Sequence, residues 1–347
     1  MLVLDPRLYE RLLRPVLFRL EPEAAQRLAE LALELDPLWR AGAPFLRVRD
    51  RRLLVNVAGL TLPGPVGLAA GYDKDCRLLG ALACMGWGYV VGGTVTADPR
   101  PGNPRPRVLR YPQREALVNS LGFPGKGLDA AYQALAASRR GTGDTPVWVS
   151  VAGTSVEEVA LCLRRLEPLA DAVEVNVSSP NTRGLAVFHQ PANLRRLVEA
   201  LHGVRTRPLM VKLPRATALG GPQEGMDRLR ELARAAVEAG ADGVTLGNTR
   251  PVEEPRLAVG RGGLSGRPLL EETEEMVAAV RRDLGPEVAI NACGGVATGE
   301  DAWRLLRAGA DTVQLLTALV YRGPGVVRRI HRELLERMEG RLPAYRG

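Results

Sequence analysis

One repeat constrains this chain more than any other feature. From residue 66 onward, short β-branched runs alternate with longer amphipathic ones. The strand candidates are 66–71, 89–96, 146–152, 172–179, 208–213, 243–249, 288–294 and 312–318. Between them, stretches such as 191–206, 224–240 and 299–309 carry apolar residues at helical spacing. The second of these ends in glycine, a common helix stop. Eight strands, each followed by a helix, predict a (β/α)8 TIM barrel. A doubly wound open sheet is the alternative, but eight regular units favour closure.

Length and composition agree. The chain has 347 residues, 46% of them hydrophobic, ample for a core of barrel size. No stretch reaches about 18 uninterrupted apolar residues, so no transmembrane helix is expected. The first residues lack a basic-then-apolar leader pattern. The four cysteines are scattered, with no CxxC pair. Neither a disulfide framework nor a metal centre is expected, and a reducing cytoplasm fits.

Residues 1–45 read as a separate unit ahead of a barrel domain at 46–347. RLYERLLRPVLFRL and EPEAAQRLAELALEL predict a pair of short amphipathic helices, with Glu21-Pro22 as a turn opening the second. Pro15 kinks the first helix or marks its true start. The plainer expectation is a helical cap on the barrel bottom or side. The sharper one is a hairpin lying on a membrane, with its arginines meeting lipid phosphates.

The net charge of +8 permits an acidic substrate, an anionic membrane or nucleic acid, and selects none. Its make-up says more. Of 47 basic residues only Lys74, Lys126 and Lys212 are lysine. Where arginine serves as the general surface cation, a retained lysine marks a place that needs a compact ammonium, or chance survival. Lys126 reads as structural or surface.

Chemistry collects at the strand ends. Strand 1 runs into AAGYDKD with Lys74, strand 2 offers Thr94 and Thr96, and strand 4 gives Asn176, Ser178, Ser179 and Asn181. Strand 5 gives Lys212, strand 6 Asn248 and Thr249, and strand 7 Asn291 followed by Gly294-Gly295. Asparagine presents donors and acceptors on one plane, so asparagines with lysines suit a planar ligand with amide edges and a carboxylate. The connections near 97–125, 180–190 and 250–267 are long, as at a barrel's active-site face. CGGVATG after strand 7 and YRGPG after strand 8 resemble phosphate turns, and GRGGLSGRP reads as a further flexible turn. His189 reads as a loop residue rather than a base, and Ser178 as structural, turned from the mouth by alternation.

GLAAGYDKD, GGTVTADPRPGNPRPR, NSLGF, NVSSPNT, GGLSGRP and CGG, in this order, resemble dihydroorotate dehydrogenase over nearly the whole chain. Serine in NVSSPNT, where the soluble class usually has cysteine, and the helical pair resemble the quinone-linked, membrane-associated class 2. The resemblance implies FMN as cofactor, dihydroorotate as substrate with orotate as product, a membrane quinone as acceptor, and a role in pyrimidine (UMP) biosynthesis. It implies a monomer bound peripherally at the cytoplasmic face of the cell membrane. Ser179 would be the base at C5, with hydride passing from C6 to flavin N5. Lys74, Asn119, Gly122, Phe123, Asn176, Asn181, Asn248 and Thr249 would hold the substrate. Ala70, Gly71, Lys74, Thr94, Ser150, Asn176, Lys212, Gly266, Gly295, Leu316 and Thr317 would line the flavin. Four positions depart from the family pattern: Ser150 stands for asparagine, Gly247 for threonine, and the pair Leu316-Thr317 for tyrosine–serine. Rival readings are a soluble class 1-type enzyme using fumarate or a partner subunit, a tRNA-dihydrouridine synthase, and a non-catalytic membrane-bound barrel. With 4% aromatics and no aromatic-interleaved basic patch, nucleic acid is not an expected partner.

Overall fold

The computed structural model describes residues 6–179 and 184–340. Its centre is a closed barrel of eight parallel strands. These are β1 (Val66–Leu68), β2 (Tyr89–Val95), β3 (Val147–Val151), β4 (Ala172–Asn176), β5 (Leu209–Leu213), β6 (Gly243–Leu246), β7 (Ala289–Cys293) and β8 (Thr312–Leu315). Each pairs with its sequence neighbours, and β8 pairs with β1 to close the ring, so the open-sheet alternative falls. The strands end earlier than the apolar runs predict, because the backbone turns sharply at the mouth. Gly71 and Gly247 take φ of +109° and +96°, values that favour glycine.

Alternation sorts the side chains. Residues two apart along a strand share a face, so the barrel interior fills in layers. Tyr89, Trp148, Ala172, Met210 and Ala289 form an apolar floor. There the Tyr89 and Trp148 rings stack with centroids 4.1 Å apart. A hairpin, Val55–Val57 with Leu60–Leu62, plugs this end through Val57 and Leu62. Its two-residue turn at Ala58 and Gly59 has positive φ at both positions, as such turns require. One step up, the interior turns polar with Ser150, Glu174, Lys212, Thr245, Asn291 and Gln314, all buried. Outside, the helical stretches 191–206, 224–240 and 299–309 form helices Pro191–His202, Pro222–Glu238 and Gly299–Arg307. The last opens with a capping box between Thr298 and Asp301.

Two of the long connections are not loops. Val108–Tyr111 and Ala116–Asn119 join Arg250–Glu253 and Arg261–Gly266 in a four-stranded antiparallel sheet over the mouth. GRGGLSGRP is therefore largely a strand, not a flexible turn. Its glycines hide the strand signal, and packing demands them: a Cβ on Gly263 would sit 1.9 Å from Thr249 Oγ1.

The N-terminal unit also differs from a simple pair. A first helical run over 6–17 passes through a π-helical stretch, Tyr9–Leu13, before the α-helical turn Arg14–Leu17, where Pro15 occupies an opening position. Helix Pro22–Leu33 begins as predicted, with Glu21 as N-cap accepting from the Ala24 N–H. A further helix, Asp36–Leu46, contributes Trp39, Ala43 and Leu46 to the main core. The unit divides: helix Asp36–Leu46 packs on the barrel side against helix Leu79–Ala83, as the plainer expectation has it, whereas the run 6–17 and helix Pro22–Leu33 lie elsewhere. Tyr9 donates to the Val320 carbonyl (2.9 Å), and Arg107 pairs with Glu23 (2.9 Å). The Phe18 ring meets Tyr321 edge-on at 5.2 Å. All three contacts lie on connections that follow strand C-termini, so these two segments cover the mouth.

Candidate active site

A cavity of about 550 Å³ opens at the C-terminal ends of the strands and continues between the N-terminal helices. Of the residues singled out from the sequence, Ala70, Gly71, Lys74, Thr94, Asn119, Gly122, Phe123, Asn176, Ser179, Lys212, Asn248, Thr249, Gly266, Gly295, Leu316 and Thr317 line it. Ser150 does not. It lies one layer below, fully buried, its hydroxyl 2.9 Å from that of Thr94. Asn181 lies outside the described residues.

A hydrogen-bonded chain fixes one wall. Asn176 donates from Nδ2 to Thr94 Oγ1 (3.0 Å) and accepts at Oδ1 from both Ser178 N–H (3.1 Å) and Ser178 Oγ (2.7 Å). Asn248 Nδ2 donates to Ser178 Oγ (2.8 Å), and the Thr249 N–H donates to Asn248 Oδ1 (2.7 Å). Ser178 is thus structural, but not because of alternation, since β4 has ended at Asn176. It is the joint that sets Asn176 against Asn248, while the next residue, Ser179, faces the cavity. His189 is not in a loop but ends a short 3₁₀ helix, Leu185–His189, and braces the same turn, with Nε2 2.8 Å from the Val177 carbonyl. Burial holds its imidazole below the usual histidine range.

The two lysines on the cavity differ in setting. Lys212 is buried with Nζ 3.5 Å from Glu174 Oε1 and 3.4 Å from Gln314 Oε1. Burial works against its ammonium, but Cys293 and Glu174 outweigh it, and its pKa stays above the ordinary value. Glu174 also accepts from Thr245 Oγ1 (2.8 Å) and Gln314 Nε2 (3.1 Å), so the cation stands on a polar floor. Among the described residues, Lys74 has no such partner at hydrogen-bond distance. Burial pulls its pKa down, opposed by the more distant Glu30. It is a cation poised to gain from an anionic ligand.

Gly266 and Gly295 stand at the far rim of the cavity. A Cβ on Gly295 would lie 2.4 Å from the Leu270 backbone nitrogen, and one on Gly266 2.2 Å from the Glu115 carbonyl. Glycine is therefore required at both positions by packing against the protein's own backbone. Gly247, unusual in the strand-6 motif, also has a reason: a Cβ there would meet the Cys293 carbonyl at 2.5 Å and Arg215 Nη1 at 2.9 Å.

The family model described as dihydroorotate dehydrogenase matches residues 52–338. The chain belongs to the dihydroorotate dehydrogenase family. The dihydroorotate dehydrogenase (quinone) of Roseiflexus sp. (strain RS-1) is 38% identical over 342 residues, covering 94% of this chain and 93% of that one. The corresponding Halobacterium salinarum (strain ATCC 29341 / DSM 671 / R1) protein is 39% identical over 343 residues, covering 94% and 95%. A ligand-free Eimeria tenella enzyme of this family superposes with a TM-score of 0.78 at 32% identity, covering 90% of this chain and 95% of that one. Its complex with ferulenol superposes at 0.77.

Sequence reasoning missed part of this dihydroorotate dehydrogenase site. Cys293, Gln314 and Ser265 also line the cavity. For Cys293 and Gln314 a signal exists: each stands two residues beyond an interior position of its own strand, Asn291 and Thr312. The wall contributed by Tyr9, Phe18 and Gln26 had none, because which face of an isolated amphipathic helix looks inward is decided by docking.

Proposed function

We propose that the protein oxidises (S)-dihydroorotate to orotate, uses FMN, and passes the electrons to a membrane quinone in pyrimidine biosynthesis. One observation carries the reading. Ser179 faces a cavity shared with Lys74, Asn176 and Asn248, and that cavity runs on beneath an apolar helical cover. Family membership supports the substrate.

Lys74 meets the substrate carboxylate, and the Asn119, Asn176, Asn248 and Thr249 groups bind the edges of its ring. Asn181 belongs to the same set by sequence. Gly122 and Phe123 close over it. Ser179 Oγ takes the C5 proton. A serine hydroxyl is a weak base, so its proton must be passed on and water kept out, and the N-terminal cover supports that exclusion. The C6 hydrogen leaves with its electron pair as the C5–C6 double bond forms. When bound, FMN supplies the acceptor for that hydride at N5. Ala70, Gly71, Thr94, Lys212, Leu316 and Thr317 border its ring in this reading, with Gly266 and Gly295 at the phosphate end. Ser150 acts through Thr94 rather than by contact.

The quinone approaches between the N-terminal helices. Leu28 and Leu31 on helix Pro22–Leu33, Leu35 in the turn that follows and Leu38 on helix Asp36–Leu46 are all exposed, which supports peripheral attachment of a monomer to the cytoplasmic membrane face. No helix among the described residues is long and apolar enough to cross a membrane. The test is an anaerobic visible spectrum. Bleaching by dihydroorotate followed by recovery on adding a soluble quinone is expected. Bleaching without recovery removes the quinone, and bound flavin that does not bleach removes the substrate.

A further inference from the structure

Arg215 follows β5 and is wholly buried, yet it does not line the cavity. All five of its N–H donors are used. Nε donates to Glu272 Oε2 (2.8 Å). Nη1 reaches the backbone carbonyls of Asn248 (3.3 Å) and Cys293 (3.4 Å). Nη2 donates to the Leu269 carbonyl (3.0 Å) and Thr273 Oγ1 (2.8 Å). One guanidinium thus joins the residues after β5 and β6, the last residue of β7, and the start of helix Leu270–Leu284. Space is cleared for it from two sides, since a Cβ on Gly247 or Gly294 would fall 2.9 Å or 2.7 Å from Nη1. Glu272 is itself held from the other side by Thr217 Oγ1 (2.7 Å).

We propose that Arg215 is a positioning residue for substrate recognition: by gripping the Asn248 and Cys293 carbonyls it sets where the Asn248 and Thr249 groups meet the substrate ring. The inference rests on the reading that these two residues hold dihydroorotate. A planar five-donor fork is required, because a lysine ammonium has three donors and cannot span four acceptor residues and a carboxylate.

The experiment is Arg215→Lys in the flavin-loaded enzyme. Orotate affinity is read from the flavin absorbance change, with thermal stability and flavin content measured alongside. The expected result is a folded, flavin-bearing variant whose orotate dissociation constant rises at least tenfold. Its dihydroorotate KM rises with it, while quinone reoxidation of the chemically reduced flavin stays within twofold. A purely structural role would lower stability or flavin content and leave orotate affinity per flavin unchanged, and that result overturns the proposal. If Arg215→Lys does not fold, Glu272→Gln loosens the same fork from its outer side. A rise of threefold or more in the orotate dissociation constant is then expected, and an unchanged constant overturns the proposal. Failure of the unaltered enzyme to bind orotate overturns the substrate reading itself, and this proposal with it.

Discussion

At the scale of single residues, the site is a set of groups whose neighbours decide their chemistry. Ser179 is ordinary as a side chain. It shares a covered cavity with Asn176 and Lys74, and the proposed proton removal depends on that setting. Ser179→Ala should keep the flavin and slow its bleaching by dihydroorotate by about 10²- to 10⁴-fold, the usual worth of a positioned base, in stopped-flow measurements. Glu174 illustrates a different dependence. It and Lys212 are both buried in the barrel, so removing one charge leaves the other without compensation. Glu174→Gln keeps an acceptor for Thr245 and Gln314 but turns an amide donor toward the ammonium. Urea unfolding should show a loss of about 3 kcal/mol, the order expected for breaking a buried pair. Equal midpoints and slopes for the two proteins would refute that cost.

At the scale of elements, the N-terminal helices bury one face and leave leucines exposed on the other. Leu33 packs into the main core, and the adjoining helix adds Trp39 and Leu46. Leu31 and Leu38 stand 60% and 66% exposed. A deletion of the whole unit would therefore damage the core as well as the cover. The sharper test is the double substitution Leu31→Glu, Leu38→Glu, which touches only the outer face. Sedimentation with anionic lipid vesicles should drop several-fold, while flavin bleaching by dihydroorotate is unchanged. Undiminished vesicle binding would move the attachment surface elsewhere. These helices were legible as amphipathic in RLYERLLRPVLFRL and EPEAAQRLAELALEL, but their seat over the mouth was not. The contacts that fix it, Tyr9 to Val320 and Glu23 to Arg107, join positions far apart in sequence. The mouth sheet was illegible for a related reason: RGGLSG carries glycines chosen for close packing on Thr249, which erases its β signature.

At the scale of the whole molecule, the barrel floor carries a pH liability. His331 on the last helix is buried against Gly64, and neither ring nitrogen has a hydrogen-bond partner among the described residues. Burial pushes its pKa down to about 4. The folded state therefore binds this proton less readily than the unfolded chain, whose histidine titrates near 6.5. The contribution is fully present above about pH 6.5 and is lost as pH falls toward 4. Between pH 7 and pH 5 that amounts to about 2 kcal/mol. His331→Leu should remove this part of the acid sensitivity, measured as a smaller drop in unfolding free energy over that interval. An unchanged drop would place the acid sensitivity in other groups.

What the sequence determined by itself follows from local periodicity. Eight β-branched runs with helices between them can bury their faces well in a closed parallel barrel, and a barrel gathers its strand ends at one mouth. Lys74, Asn176, Ser179, Lys212 and Asn248 were therefore assignable to one face before any coordinates. What only the tertiary structure decided are the contacts between distant segments. Ser150 is withdrawn behind Thr94, Ser178 joins Asn176 to Asn248, and Arg215 fills the space that Gly247 leaves. Periodicity places a side chain on a face. Which neighbour it meets there depends on packing across the barrel, and no window of local sequence contains that information.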